Sequence, residues 1–544
     1  MWSLKFKEHM ARGGEPVFAV DFQSPDLRDS GDIDVDTFVL HSHGSPGRHL
    51  HLGHAIEKIS TTGQRVSVRS WKSSLGGLRV HLSGAKVAQA VSVNIPRGLL
   101  AELKVGFAGF RYDEFETFGF YVYRGLSGIE NNWVMEFDEG LSILQRPSSV
   151  HLSGQFYRQA GNHYAELSTG YAGTAGETDL LVANAKRLDS GETITFNSTN
   201  FPKDSTHRGL LYVESTDTDP FFLKFTGIDG LGFEVVADNV LDTVRGPAGI
   251  LDKVFVYGYV QDSIPEVANL VLFGRRDAHI LSDKTMPDGW HCDLRADSHM
   301  VHQPDMHRVS ELFSSDYANF KGDFIVPSAL DNGFRGLEEF LSAFGFWLVM
   351  KEGRLSYRFV QQLVVAGGFS PKATPDYIIT DYDIVREQSY QRYNTDAPDE
   401  IFQLALPGGI LSSTVSETPI KTRPGTYRFM HPSRQFVFDD DVLSSNKLNS
   451  RTNMSGRLGP WYHRIPDQMT LELKSWRFAE MVPGDVVSIE SSYLFNMING
   501  ALPMPDGSML RSHRGTLYLV TGVDVNWDSF SVTVQLSTPP LYST

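Results

Sequence analysis

The sequence predicts a mainly β, multidomain protein, and three observations carry that expectation. Runs rich in β-branched and aromatic residues alternate with period two over most of the chain, from Pro16-Val-Phe-Ala-Val-Asp-Phe22 to Ser531-Val-Thr-Val-Gln-Leu536. The runs are separated by Gly, Pro and Asp at turn spacing, as in Pro483-Gly484-Asp485, where Pro presets φ and Gly supplies positive φ. The 544 residues exceed what one core serves, and clear helical periodicity is confined to one region.

Composition narrows the class. With 41% apolar and 21% charged residues the chain is a folded protein, not a disordered one. No run of about 18 apolar residues occurs, and charges interrupt the first ten residues, so neither a membrane span nor a signal peptide is expected. Cys292 is the one cysteine, which excludes disulfides, thiolate zinc sites and iron–sulfur clusters. A net charge of −16 argues against a nucleic-acid-binding surface.

Taken in order, residues 1–164 read as a β-rich domain. Its strands are expected near Pro16–Phe22, Asp32–Leu40, Ile59–Ser83, Leu103–Phe110, Phe118–Gly125 and Asn132–Leu144, the last running into a short turn. Asp32, Asp34 and Asp36 superficially suit a calcium loop, but Thr37 and His43 stand where that loop needs Gly and Glu, so solvent-facing alternation is expected. His41, His43, His49, His51 and His54 crowd a Gly/Pro/Ser segment. Such density can serve a transition metal, yet no carboxylate joins them and no regular spacing aims them at one point, so the favoured reading is an exposed loop.

Residues 165–258 read as a small inserted β-module of sandwich or roll type. Gly246 and Gly249 lack the Lys-Ser/Thr and the helix of a phosphate loop and read as a turn. Residues 259–370 read as an α+β unit. Pro265 opens a helix to Phe273. Asp331 or Asn332 caps a second, whose stripe is Phe334, Leu337, Leu341, Phe344 and Leu348, and Trp347–Phe359 forms a hairpin turning at Glu352-Gly353. Residues 371–544 read as a second β-rich domain. Asp439–Asp441 is a solvated acidic run, and Asp441–Pro460, with Leu443, Leu448 and Leu458, a helix-containing crossover. The closing strands are expected at Pro483–Ile489, Gly515–Gly522 and Val523–Leu536.

No catalytic, cofactor-binding or metal-ligating set is assigned. There is no Gly-x-Ser-x-Gly elbow, His-Glu-x-x-His or dinucleotide fingerprint. His291, His299, His302 and His307 surround Cys292 and Asp305. His299 and His302 could share a helix face, but Gln303-Pro304-Asp305 is expected to interrupt that helix, favouring a structural or pH-responsive role. Glu338 and Glu339 are adjacent, point apart and read as solvated.

The succession of parts resembles the tail hub, or baseplate hub, proteins of long-tailed bacteriophages. The resemblance rests on Tyr123-Arg-Gly…Trp133-Val-Met-Glu-Phe-Asp138, then Phe340-Leu-Ser-Ala-Phe-Gly-Phe-Trp-Leu-Val-Met-Lys-Glu-Gly-Arg-Leu-Ser-Tyr-Arg358. It continues through Ile378-Ile-Thr-Asp-Tyr-Asp-Ile-Val385, Pro483–Ile489 and Val520-Thr-Gly-Val-Asp-Val-Asn-Trp527. It covers the order of elements from Ile59 onward, and its specificity lies in that order.

The resemblance implies a homotrimer in the virion tail tip, assembled in the host cytoplasm. The domains 1–164 and 371–544 would be tube-type barrels or sandwiches that build a pseudo-six-fold ring. That ring would join the hexameric tail tube, distal tail protein and tape measure protein to a central fibre or tip protein, with DNA passing through its lumen. It implies no cofactor and no stable membrane insertion; the chain departs from the family in lacking an evident lysozyme or peptidase appendage, which some hubs carry or recruit, so no enzymatic activity is expected. The alternative is a host-surface polysaccharide-binding or -cleaving, tail-spike-like protein, which would show β-helix periodicity or a catalytic carboxylate pair.

Overall fold

The computed structural model describes residues 2–23, 38–44, 51–143, 163–273, 301–325, 337–363, 374–391, 401–405, 426–430, 461–491, 502–510 and 517–538, less short stretches within them. Expectations for Asp32–Asp36, His49, Gly246, His291, Cys292, His299, Asp331–Phe334, Glu339 and Asp439–Pro460 fall outside the described residues. The chain is mainly β and multidomain, as its alternation predicts.

The first part carries β1 (Pro16–Gln23), β2 (Phe38–His41), β3 (His51–Leu52), β4 (Ile56–Thr61), β5 (Gln64–Val66), β6 (Ser73–Ser74), β7 (Leu78–Leu82), β8 (Leu100–Phe107), β9 (Glu116–Ile129) and β10 (Asn132–Glu139). Eight of them form one sheet in the order β3-β2-β1-β8-β9-β10-β7-β4. Alternate side chains such as Val20, Phe22, Leu103, Val105, Met135 and Phe137 enter its core. The sequence confines clear helices to 259–370, but two lie here, Leu4–Ala11 and Ala85–Asn94. Each buries only two residues, Phe6 with Met10 and Ala88 with Val91, so the periodic signal is too short to stand out.

The histidine-rich segment is not a plain exposed loop. His41 ends β2, is buried and meets the Tyr112 ring edge-on, because β2 pairs with both β1 and β3. His43 remains half-exposed beside Ser42 Oγ.

The inserted module comprises β11 (His163–Leu167), β12 (Asp179–Arg187), β13 (Thr193–Ile194), β14 (Gly209–Glu214), β15 (Phe221–Ile228), β16 (Gly232–Val235) and β17 (Lys253–Tyr257). Its order, β11-β17-β14-β15-β16-β12, closes by β11–β12 pairing, with β13 on the flank. It is therefore a closed barrel, not a sandwich or open roll; alternation looks the same in each. Leu211, Phe225, Phe233 and Val254 fill it.

Next come β18 (Tyr259–Asp262), the helices Ile264–Phe273 and Gln303–Asp316, β19 (Gly322–Ile325), and the hairpin β20 (Phe346–Lys351) and β21 (Arg354–Phe359). Pro304 does not interrupt a helix but stands in the first turn of one, where its missing N–H would have no intrahelical acceptor. Leu337, Leu341 and Phe344 are buried as the stripe predicts, Phe340 is buried beside them, and Leu348 belongs to β20. Glu338 is half-buried.

The last part contains β22 (Tyr377–Thr380), β23 (Ile384–Gln391), β24 (Ile401–Ala405), β25 (Thr426–Met430), β26 (Asp467–Leu473), β27 (Val486–Glu490), β28 (Leu502–Pro503), β29 (Met509–Leu510), β30 (Leu517–Asn526) and β31 (Ser531–Thr538). The main sheet runs β22-β27-β30-β31-β26-β23. The sequence divides its final strands after Gly522; instead β30 continues to Asn526, absorbing Thr521 in a register shift between Val520 and Gly522 against β31.

The N-terminal ribbon β5–β6 leaves its own sheet and joins this one, with Arg65 opposite Gly522 and Gln64 opposite Val523 on β30. Gly63 permits the approach, since a Cβ there would lie 2.2 Å from Val523 O.

Candidate functional site

The Pro483-Gly484-Asp485 turn and the β20–β21 hairpin meet in a buried ionic junction. At the turn, Gly484 N donates to Val520 O at 2.7 Å and Val520 N to Asp485 O at 2.9 Å, tying it to β30. Asp485 Oδ2 accepts from Val482 N at 3.0 Å. Gly484 has φ +107°, and a Cβ there would lie 2.6 Å from Arg358 Cβ and 2.7 Å from Trp347 Cζ2. Only glycine meets both demands.

Arg358, 2% exposed, is the central cation. Its Nε donates to Asp485 Oδ1 at 3.1 Å, while Nη1 and Nη2 reach the two oxygens of Asp305 at 2.5 and 3.3 Å. The planar fork is what permits this bidentate pairing on one side and a second carboxylate on the other. Asp305 also accepts from Ser356 Oγ at 2.6 Å. Burial alone would raise the Asp305 carboxyl, but Arg358, Ser356 and Arg308 hold it well below the ordinary carboxylate range. Lys351 donates to Glu480 O at 2.7 Å and stands 3.6 Å from Asp485. On the far side, burial and the charge of Asp485 push Asp376 up, against the hydrogen bond it accepts from Val486 N.

The hairpin tip binds the N-terminal part. Glu352, at φ 47°, accepts from Trp2 N at 2.6 Å and Lys7 Nζ at 2.8 Å, and His302 Nε2 lies 3.5 Å away. Burial would raise this carboxyl too, yet His302, Lys7 and Trp2 bring it down to about 2. Lys7 also reaches Glu480 at 3.3 Å. Gln64 clamps Met350 twice, donating to its carbonyl at 2.9 Å and accepting from its N–H at 2.8 Å. Trp71, carried by the β5–β6 ribbon, stacks on Trp347 at 5.4 Å, whose indole N–H donates to Pro483 O at 3.0 Å.

One hairpin therefore touches the first helix, the inserted ribbon, the helix beginning at Gln303 and the final sheet. Paired ions and saturated carboxylates of this kind hold elements in register, because separating them would leave charges buried and uncompensated. Sequence reading finds the hairpin, the turn, His302 and Asp305, but does not join them. His302 precedes its helix and bonds Asp305 N through Nδ1, while His307 pairs with Glu311 at 2.9 Å. Among the described residues no group of three His, Cys, Asp or Glu side chains converges as metal ligands would, and no helix is long and apolar enough to cross a membrane.

No protein family matches the chain, and no curated protein does. Several solved structures are similar to it, among them the following two. A chain of the virion of a native gene transfer agent particle is 11% identical, over 47% of this chain and 83% of that one, with a TM-score of 0.19. The 43 kDa tail protein of prophage MuSo2 from Shewanella oneidensis is 7% identical, over 96% of this chain and 99% of that one, with a TM-score of 0.34.

Proposed function

We propose that the chain is a structural component of a phage tail, and within it the hub of the tail tip. Three copies form a ring that adapts the hexameric tube and distal tail protein to a three-fold tip and leaves a passage for DNA. It acts by holding its parts in place and catalyses nothing. The observation that carries the proposal is the coupling of the first and last β-parts, through the β5–β6 ribbon on β30 and the Asp305–Arg358–Asp485 junction. A ring in which two β-domains per chain alternate as six equivalent positions needs those domains fixed relative to one another, and buried pairing of this kind fixes them. The net charge of −16 suits a passage that DNA must not bind.

The test is the purified chain, alone and with its distal tail partner, examined by light scattering and negative-stain imaging. Three chain masses and three-fold rings are expected. A protein that stays monomeric with that partner and cleaves a polysaccharide would overturn the reading.

A further inference from the structure

A groove of about 640 Å³ runs beside the helix Ala85–Asn94, with Ala88, Gln89 and Ser92 on one wall and Tyr123, Trp133 and Arg97 among the residues facing them. That volume suits one or two sugar rings. Tyr123 is 3% exposed, its ring fixed against Phe22 and Phe137, yet its hydroxyl has no hydrogen-bond partner among the described residues. Arg97 is exposed and likewise has no ion pair among them. The Trp133 indole is held by its N–H donating to Glu130 O at 2.6 Å.

We infer that this groove binds an acidic saccharide, a pyranose bearing a carboxylate. The ring's C–H face lies on the Trp133 indole, its carboxylate takes the Arg97 fork, and its hydroxyls reach Tyr123 Oη and the Gln89 amide. The inference is independent of the hub proposal. An extended peptide is less well served, because the helix wall has its backbone groups bonded within the helix and offers no ladder for a strand.

Titration calorimetry on the full chain tests it, with a galacturonate disaccharide, its neutral galactose counterpart and an acetylated acidic tripeptide as probes. Saturable binding of the uronate is expected, with the neutral sugar and R97Q each roughly ten- to a hundredfold weaker. Y123F should bind several-fold more weakly. Arg97 is exposed, so an unchanged melting profile shows that R97Q folds. No saturable uronate binding by the parent chain, binding undiminished in R97Q, or tighter binding of the tripeptide would each overturn the inference.

Discussion

Replacing Gly484 by valine attacks the junction at its tightest point. The substitution puts a β-branched residue at φ +107° and drives its Cβ to within 2.6 Å of Arg358 Cβ and 2.7 Å of Trp347 Cζ2. Left-handed backbone costs an L residue about 1–2 kcal/mol, and overpacking a well-filled interior about 1–3 kcal/mol. Any displacement of Arg358 also loosens it from Asp305 and Asp485, where breaking a buried pair outright costs about 3–5 kcal/mol. These effects overlap, so a total of roughly 3–6 kcal/mol is expected. Urea unfolding followed by tryptophan fluorescence is the assay, since Trp347 and Trp71 stack beside the turn. The midpoint should fall sharply in G484V and less in G484A, with the tryptophan signal lost before secondary structure. A G484V protein with the parent midpoint would refute the claim that this turn needs glycine.

Two further predictions concern the same ions. D305N should destabilise by about 3–5 kcal/mol by leaving Arg358 half-paired, whereas replacing Asp305, Arg358 and Asp485 together by apolar residues should cost less; comparing their urea midpoints checks this. Glu352 has a folded pKa of about 2 against an ordinary 4.5. Its depressed value means that its contribution is complete above about pH 4.5 and fades as the pH falls towards 2, amounting to roughly 3 kcal/mol. E352Q should therefore flatten the acid limb of the stability profile over that window, and an unchanged limb would contradict the assignment.

Local chemistry in the sequence anticipates local structure well. Glu352-Gly353 announces its hairpin, Pro265 its helix, and Pro483-Gly484-Asp485 its turn, because each signal resides in neighbouring residues. Pro304 shows the limit: the same ring that breaks a helix interior is welcome at a helix start, and only the following turns decide which applies. The junction is less legible still. Arg358 lies 53 positions from Asp305 and 127 from Asp485, and a lone charge in a strand reads as exposed until its partners are known. The β5–β6 ribbon gives the weakest signal, since the strand pattern over Ile59–Ser83 covers it but strands of three and two residues do not announce the distant sheet that receives them.

That ribbon also orders events in time. Its receiving strand, β30, follows far behind it in the sequence, so during synthesis residues 64–74 emerge long before the edge they will join exists. At ribosomal rates of about 5–20 residues per second, the ribbon waits on the order of half a minute or longer. Trp71 has no partner in Trp347 or Trp461 for most of that interval. Completion of the first domain is thus postponed until β30 has been made, and a truncated chain lacking β30 leaves an adhesive ribbon exposed.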